Sequence, residues 1–394
     1  MAYEAALATR PPSDIAIEAI RWAPAGVPAT CASGASRNLT FEVVPGVFDY
    51  GAGTSSEAHW CVNFADPKLF VAHGTPLFAQ DGLQVAVHPA LGCLREALIA
   101  DGYSTAVEDT DEKPTPFTIT GVPRRVAIDT TTGLYGNGFS RASLETVRDA
   151  VRPVAPEARS NILVIAAPRP GTGTYDQEEI SAAMVAAYTG FAATGAHIPA
   201  PVTTIHTDFW GCGAFGGNRT LMMIIQAAAA EAAGVHVVFH TFDDARVTVA
   251  KEAHNQYRYL RATAKTSADL ISATAGNPAS VCTAVRNGRR ILVLVSLRNT
   301  YFKTKSLDRN AHPALPPGPG ERDQRYGDVF PWISSAPRCA SVSTRPQRVS
   351  RIQERWRPPC IPGASSRLGD APDRFPVQIA PPFAGGQDLP LIRV

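Results

Sequence analysis

The spacing of apolar residues changes several times along the first three quarters of the chain, and each change marks an element. Residues 39–47 and 59–64 read as strands, separated by a Gly/Ser loop at 51–56. Leu91, Leu94, Leu98 and Ile99 keep helical spacing and predict a helix over 89–100, with His88-Pro89 as the turn ahead of it. Residues 125–128 and 162–167 read as short buried strands, and 143–151 as a helix. The helix predicted over 176–191 has a stronger start. Asp176 can cap its first amides, and Glu178 and Glu179 suit the positive end of its dipole.

The clearest unit follows. Residues 202–206 alternate as a strand and lead into a glycine-rich loop. Asn218 can then cap a helix running to about residue 233, which Gly234 would stop. Residues 235–239 are a further strand. Strand, glycine loop, helix, strand is the grammar of a parallel α/β sheet. Helical patterns over 245–270 and an apolar run at 291–297 continue it.

The patterning stops near residue 305. Beyond residue 310 the chain holds 15 of its 33 prolines, 11 arginines and no lysine, which predicts a poorly packed or disordered tail. The organisation expected is therefore an N-terminal extension over 1–40, an α/β domain over 41–304 and a Pro/Arg-rich tail over 305–394. With 394 residues, 45% of them hydrophobic, the chain can bury a sizeable core. A net charge of +2 makes no electrostatic case for nucleic acid or a membrane surface. Apolar runs fall short of the roughly 18 residues that a membrane span requires, and the first 14 residues lack the apolar core of a secretory signal. The seven cysteines (31, 61, 93, 212, 282, 339 and 360) are odd in number and show no C-x-x-C pair, so they read as reduced thiols. A soluble, cytoplasmic protein with no metal and no cofactor is expected.

The candidate chemistry lies in the glycine loop, Trp210-Gly211-Cys212-Gly213-Ala214-Phe215-Gly216-Gly217-Asn218. Four glycines in seven residues let the backbone approach a ligand closely, and a helix start directly after them favours an anion such as a phosphate or diphosphate. Gly211, Gly213 and Gly216 also spell G-x-G-x-x-G, a dinucleotide fingerprint, with Asp243 or Asp244 as its ribose-binding acid. Trp210 and Phe215 are unusually bulky for that motif. A tight strand-to-helix turn with no ligand is the plain alternative.

The run His206-Thr207-Asp208-Phe209-Trp210 followed by Gly-Cys-Gly-Ala-Phe-Gly-Gly resembles the diphosphate-binding loop of the poly(ADP-ribose) glycohydrolase family. Val62-Asn63-Phe64-Ala65-Asp66, Val126-Ala127-Ile128-Asp129 and Ala187-Tyr188-Thr189-Gly190-Phe191 are similar to other segments of that family, in the same order. The resemblance implies a macrodomain-like three-layer α/β/α sandwich with a mixed, largely parallel sheet. It also implies hydrolysis of ribose–ribose O-glycosidic bonds without metal, with ADP-ribose or poly(ADP-ribose) on modified proteins as the partner. Asn63, Asp66, Gly74, Gly211, Cys212, Gly213, Ala214, Phe215, Gly216 and Gly217 would then line the ligand site, Phe215 against the distal ribose and phosphates. The family's signature, a Gly-Gly-Gly stretch and then Gln-Glu-Glu, falls on Ala72-His73-Gly74 and Gln80-Asp81-Gly82. Gln80 matches, Asp81 is one methylene shorter than the first Glu, and Gly82 stands where the second, proton-donating Glu belongs. Asn63 and Asp66 invert the family's Asp and Asn.

Glycosidic cleavage needs a proton for the leaving oxygen, and a glycine supplies none. Three readings follow: a glycohydrolase using Asp81 in the catalytic position, a degenerate module that holds ADP-ribose without cleaving it, and, more weakly, an NAD-dependent oxidoreductase. A second Q-E-E at Gln177-Glu178-Glu179 sits at a helix start and reads as a complement to its dipole. His73 on the presumed catalytic loop is a candidate acid or phosphate ligand, with a solvated loop histidine as the bland reading. His206 and His240 read as strand-end polar residues; Asp208 could face the pocket, but reads better as a loop carboxylate facing water. The arginines at 345, 348, 351, 355 and 357 read as a solvated tail rather than a polymer-binding patch.

Overall fold

The computed structural model describes residues 15–28 and 39–274, apart from 74, 76, 169–174, 214 and 265, together with strands at 279–286, 289–296, 352–354, 378–380 and 391–393. In chain order the main elements are β1 (Ile15–Arg21), β2 (Phe41–Val44), β3 (Glu57–Ala65), α1 (Gln80–Val87), α2 (Ala90–Ala100), β4 (Phe117–Ile128), α3 (Leu144–Ala150) and β5 (Val151–Ala166). There follow α4 (Gln177–His197), β6 (Val202–Thr207), α5 (Arg219–Ala233), β7 (His236–His240), α6 (Asp244–Thr263), α7 (Ser267–Thr274), β8 (Ala279–Arg286) and β9 (Arg289–Ser296).

The sheet runs β1-β4-β5-β3-β6-β7-β2. Its half from β5 to β2 is parallel, and β1, β4 and β5 pair antiparallel. Alternate residues of each central strand enter opposite cores. Trp60, Val62, Leu163, Ile165, Ile205 and Phe239 pack against α4, α5 and α6. Cys61, Ala65, Ile162 and Val164 pack against α1, α2 and β4. Helices on both faces explain why these strands read as continuous apolar runs rather than alternating ones, and the result is the expected α/β/α sandwich.

The capping residues act as expected. Asp176 and Glu179 form a reciprocal capping box on α4, so the second Q-E-E belongs to a helix start. Asn218 caps α5 by accepting from the Leu221 amide, and Gly234 ends that helix in the left-handed conformation. Helix α5 is buried on nearly every side, from Leu221 to Ala230, as an apolar-all-round helix must be. Gly190 lets α4 lie close on β5, since a Cβ there would stand 2.6 Å from Ile165 Cγ2.

Several elements differ from their predicted bounds. The strands predicted over 125–128 and 162–167 are the ends of the long pair β4 and β5. Their outer halves carry Arg124, Arg125, Arg152 and Arg159, which hid the strand pattern. Helix α1 has only eight residues, with a glycine and two valines among them, and no periodicity pointed to it. Within the predicted extension 1–40, β1 pairs with β4 and places Ile17, Ala19 and Ile20 in the cores. Of the predicted tail, three strands (β10, Ile352–Glu354; β11, Gln378–Ala380; β12, Leu391–Arg393) are described, and β10 and β12 pair with β1. The remainder of 305–394, the arginine cluster included, lies outside the described residues. No helix among the described residues is long and apolar enough to cross a membrane.

Candidate ligand-binding crevice

Parallel strands β5, β3, β6 and β7 end on one side of the sheet, where ligands of open α/β sheets bind. Two segments flank that edge: residues 66–82 after β3 and residues 208–218 after β6.

The first segment is held by side chains. Gln80, at the start of α1, accepts from the Phe64 amide at 2.9 Å and donates to the Val62 carbonyl at 2.8 Å, so it pairs with β3 as another strand would. Asp81 is buried, with 5% exposure. One of its oxygens accepts from Asn63 Nδ2 at 3.0 Å and the other from the Ala72 amide at 3.2 Å. Burial pushes the Asp81 carboxyl up to about 6, against the pull of those two donors. Asn63 is fully buried and its Oδ1 has no partner among the described residues. A Cβ on Gly82 would look toward the carbonyls of Leu77 and Ala72 at 3.5 and 3.8 Å, ordinary contact distances. Asp66 is half-buried, which raises its carboxyl. His73 lies against α2, its Nε2 3.1 Å from where a Gly92 Cβ would stand, and burial lowers its basicity. Gly74 lies outside the described residues.

The second segment is held by backbone. Gly217 donates to the Gly211 carbonyl at 3.0 Å, and Gly216 to that of Gly213 at 3.1 Å. Gly211 and Gly216 take φ of 71° and 66°, the region where side chains are strained. At Gly217 a Cβ would meet the Gly211 carbonyl at 2.8 Å and the Tyr175 hydroxyl at 3.0 Å. Gly213 is the opposite case: it is exposed, and a Cβ there meets nothing within 4 Å. Cys212 is buried beneath the turn, its thiol directed at the Trp210 carbonyl. Phe215 packs on the core below, and Ala214 lies outside the described residues.

Three features of this edge were not recognised in the sequence. Asp208, expected to face water, is half-buried, and burial pushes its carboxyl up to about 6. Its side chain accepts from the Phe209 amide. Tyr135 and Phe242 face each other with ring centroids 5.0 Å apart. The segment carrying Tyr135 is joined to Phe78 by the backbone pair Phe78–Gly136. No local pattern brings residues 78, 135 and 242 together. Finally, His59, His206 and His240 form a hydrogen-bonded row across β3, β6 and β7, at 2.8 and 3.0 Å, with Glu57 3.1 Å beyond His59. They are partners in one hydrogen-bonded row, buried at His206 and His240 and partly exposed at His59, rather than separate strand-end groups. Among the described residues no group of three or more His, Cys, Asp or Glu is placed to hold a metal ion.

Asp243, one of the two acids offered for the dinucleotide reading, is committed elsewhere. It caps α6 by accepting from the Arg246 amide at 3.1 Å and pairs with the Arg246 guanidinium at 2.6 Å. Cys61, Cys93 and Cys212 form no disulfide among the described residues.

Residues 129–249 match the family model described as "Poly (ADP-ribose) glycohydrolase (PARG), Macro domain fold". Solved structures of low similarity include a poly(ADP-ribose) glycohydrolase from Thermomonospora curvata, 16% identical over 65% of this chain and 82% of that one, TM-score 0.36. The same protein bound to the inhibitor ADP-HPD is 17% identical over 54% and 78%, TM-score 0.33. A poly(ADP-ribose) glycohydrolase from Deinococcus radiodurans in complex with ADP-ribose is 16% identical over 56% and 84%, TM-score 0.34. The matched span holds β6, the glycine loop and α5 in unbroken order, and over that span the chain is similar to the macro domain of poly(ADP-ribose) glycohydrolases.

Proposed function

We propose that this chain binds ADP-ribose-type diphosphates along the carboxyl edge of its parallel sheet, with Gly211 to Gly217 cradling the diphosphate. The observation that carries the reading is the contrast within the loop. Gly217 and Gly211 exclude side chains toward the protein, while the open position at Gly213 faces outward, where a ligand can approach the backbone. The aromatic pair Tyr135 and Phe242, tilted 47° to each other, lies at the same edge, where an aromatic side chain can pack against a heteroaromatic ring.

Binding without efficient cleavage is the form of this function that fits best. Asp81 has both oxygens engaged and is buried, and Gly82 carries no acid. Cleavage of ribose–ribose bonds remains the second reading, favoured by the Asp81 carboxyl at about 6, a value suited to a general acid. The partners would be ADP-ribose or poly(ADP-ribose) on modified proteins, in the cytoplasm, without nucleic acid or membrane contact.

Calorimetry with ADP-ribose tests the binding. Gly213→Val should abolish it with an unchanged melting temperature, because the valine meets ligand and not protein. Equal affinity in the variant would remove the glycine loop from the site. Incubation with poly(ADP-ribose), followed by chromatography of released ADP-ribose, separates the two readings. Release by the native chain that Asp81→Asn eliminates would establish turnover.

A further inference from the structure

Asp208 is the residue from which the glycine loop departs, and it is fixed from several sides. Its carboxylate accepts from the Phe209 amide. Its carbonyl accepts from the Trp210 amide at 2.7 Å and from Gln226 Nε2 at 3.0 Å. Gln226 is itself buried in α5 and accepts from the Thr207 hydroxyl. The backbone of Asp208 is therefore held at the root of the loop, and its carboxylate is directed at the Phe209 amide.

A fixed acid at the root of an anion-binding loop is at first sight a contradiction, since like charges repel. The groups facing it come from every neighbouring element. Arg219 on α5 and Arg246 on α6 attract it, Asp243 at the α6 cap repels it, and Tyr135 and Cys212 lie within its field. The two arginines are partly occupied. Arg246 is paired with Asp243 at 2.6 Å and lies over Phe242, and Arg219 lies 5.7 Å from the centre of the Phe209 ring.

We propose that Asp208 sets the charge selectivity of the crevice, admitting diphosphates esterified at both ends, such as ADP-ribose, and disfavouring those ending in a phosphate monoester, such as ADP. The chemistry is electrostatic. A terminal monoester gains a further negative charge near pH 6–7 because its second ionisation lies at about 6, whereas a doubly esterified diphosphate has no such proton to lose. Ionised Asp208 penalises each added charge, and protonated Asp208 does not.

This inference rests on the ADP-ribose reading above, and calorimetry can separate their failures. ADP-ribose and ADP are titrated into the native chain and into Asp208→Asn at pH 7.5 and 5.5. Asn keeps the oxygen that accepts from Phe209. The native chain should favour ADP-ribose at pH 7.5. In the variant ADP should gain about tenfold relative to ADP-ribose, the size of a one-unit shift in a coupled group. The pH dependence that the variant retains belongs to the ligand and to the other groups of the crevice, Asp81 among them. An unchanged ADP-ribose to ADP ratio in the variant overturns the selectivity role. Failure of either protein to bind ADP-ribose overturns the underlying reading instead. If the variant does not fold, proton uptake by the native chain is measured at pH 6.5 with ADP-ribose in buffers of different ionisation enthalpy. Uptake that persists in Asp81→Asn supports the proposal, because an anion beside Asp208 raises its proton affinity; zero uptake, or uptake lost with Asp81, overturns it.

Discussion

The two segments flanking the crevice solve the same problem by opposite means. Residues 208–218 keep their shape because positions 211 and 217 hold no side chain, and backbone bonds close the turn. Residues 66–82 keep theirs because Gln80 and Asp81 reach back to β3 and to Ala72. A backbone-built loop leaves N–H groups near its surface for a ligand. A loop tied by carboxylate and amide side chains consumes the groups that would otherwise act on a substrate. The first segment thus suits binding, and the second is built for structure.

The largest expected effect comes from giving the second segment what it lacks. Gly82→Glu has room for its Cβ, which stands at ordinary contact distance from the Leu77 and Ala72 carbonyls. Release of ADP-ribose from poly(ADP-ribose) should rise by about 10²–10⁴-fold, the usual contribution of a general acid. An unchanged rate, with the variant folded, would mean that α1 is not the catalytic helix.

Removing the tie itself comes next. Asp81→Ala leaves the Asn63 and Ala72 donors without their acceptor in a buried place, which should cost about 3 kcal/mol of stability in urea denaturation. A loss below about 0.5 kcal/mol would show that water replaces the carboxylate.

On the glycine side, Gly217→Ala forces a methyl to within 2.8 Å of the Gly211 carbonyl. It should cost about 1–2 kcal/mol of stability and weaken ADP-ribose binding, whereas Gly213→Val should affect binding alone. Equal melting temperatures for the two variants would erase the distinction drawn between those positions.

The smallest effect is a pH dependence that acts in two directions. The carboxyls of Asp81 and Asp208 sit at about 6, above their ordinary 3.8. Each therefore costs stability while ionised, and that cost fades as pH falls through 6 toward 4. Buried His88 and His240 sit at about 3 and 4, below their ordinary 6.5. Their contribution is present above pH 6.5 and is lost as pH falls through the range down to 4. Asp208→Asn should therefore stabilise the protein by about 1 kcal/mol at pH 7.5 and by nothing near pH 4. Melting temperatures across that range read the difference directly. A stabilisation that persists at pH 4 would trace to packing rather than charge.

Much of the fold was readable because its signals are local. The Asp176 and Asn218 caps, the Gly234 stop and the apolar runs of β3 and β7 each express a preference of a few adjacent residues. Strand β1 and helix α1 were missed for the converse reason. Both are short, and they hold their place through pairing with β4 and through the Gln80 clamp on β3. Of the site, the glycine loop stood out in composition, while Asp208, Tyr135 and Phe242 did not.

By itself the sequence determined which segments are strands or helices at the centre of the domain, where the glycine loop lies, and that no acid occupies position 82. Only the tertiary structure decided that Asp81 is tied and buried, that Asp208 is half-buried, and that three histidines on separate strands join in one row. Backbone propensity and glycine conformation act over a few residues and are written in order along the chain. Desolvation and hydrogen-bond partnership depend on groups brought together from distant positions, and those exist only once the sheet has formed.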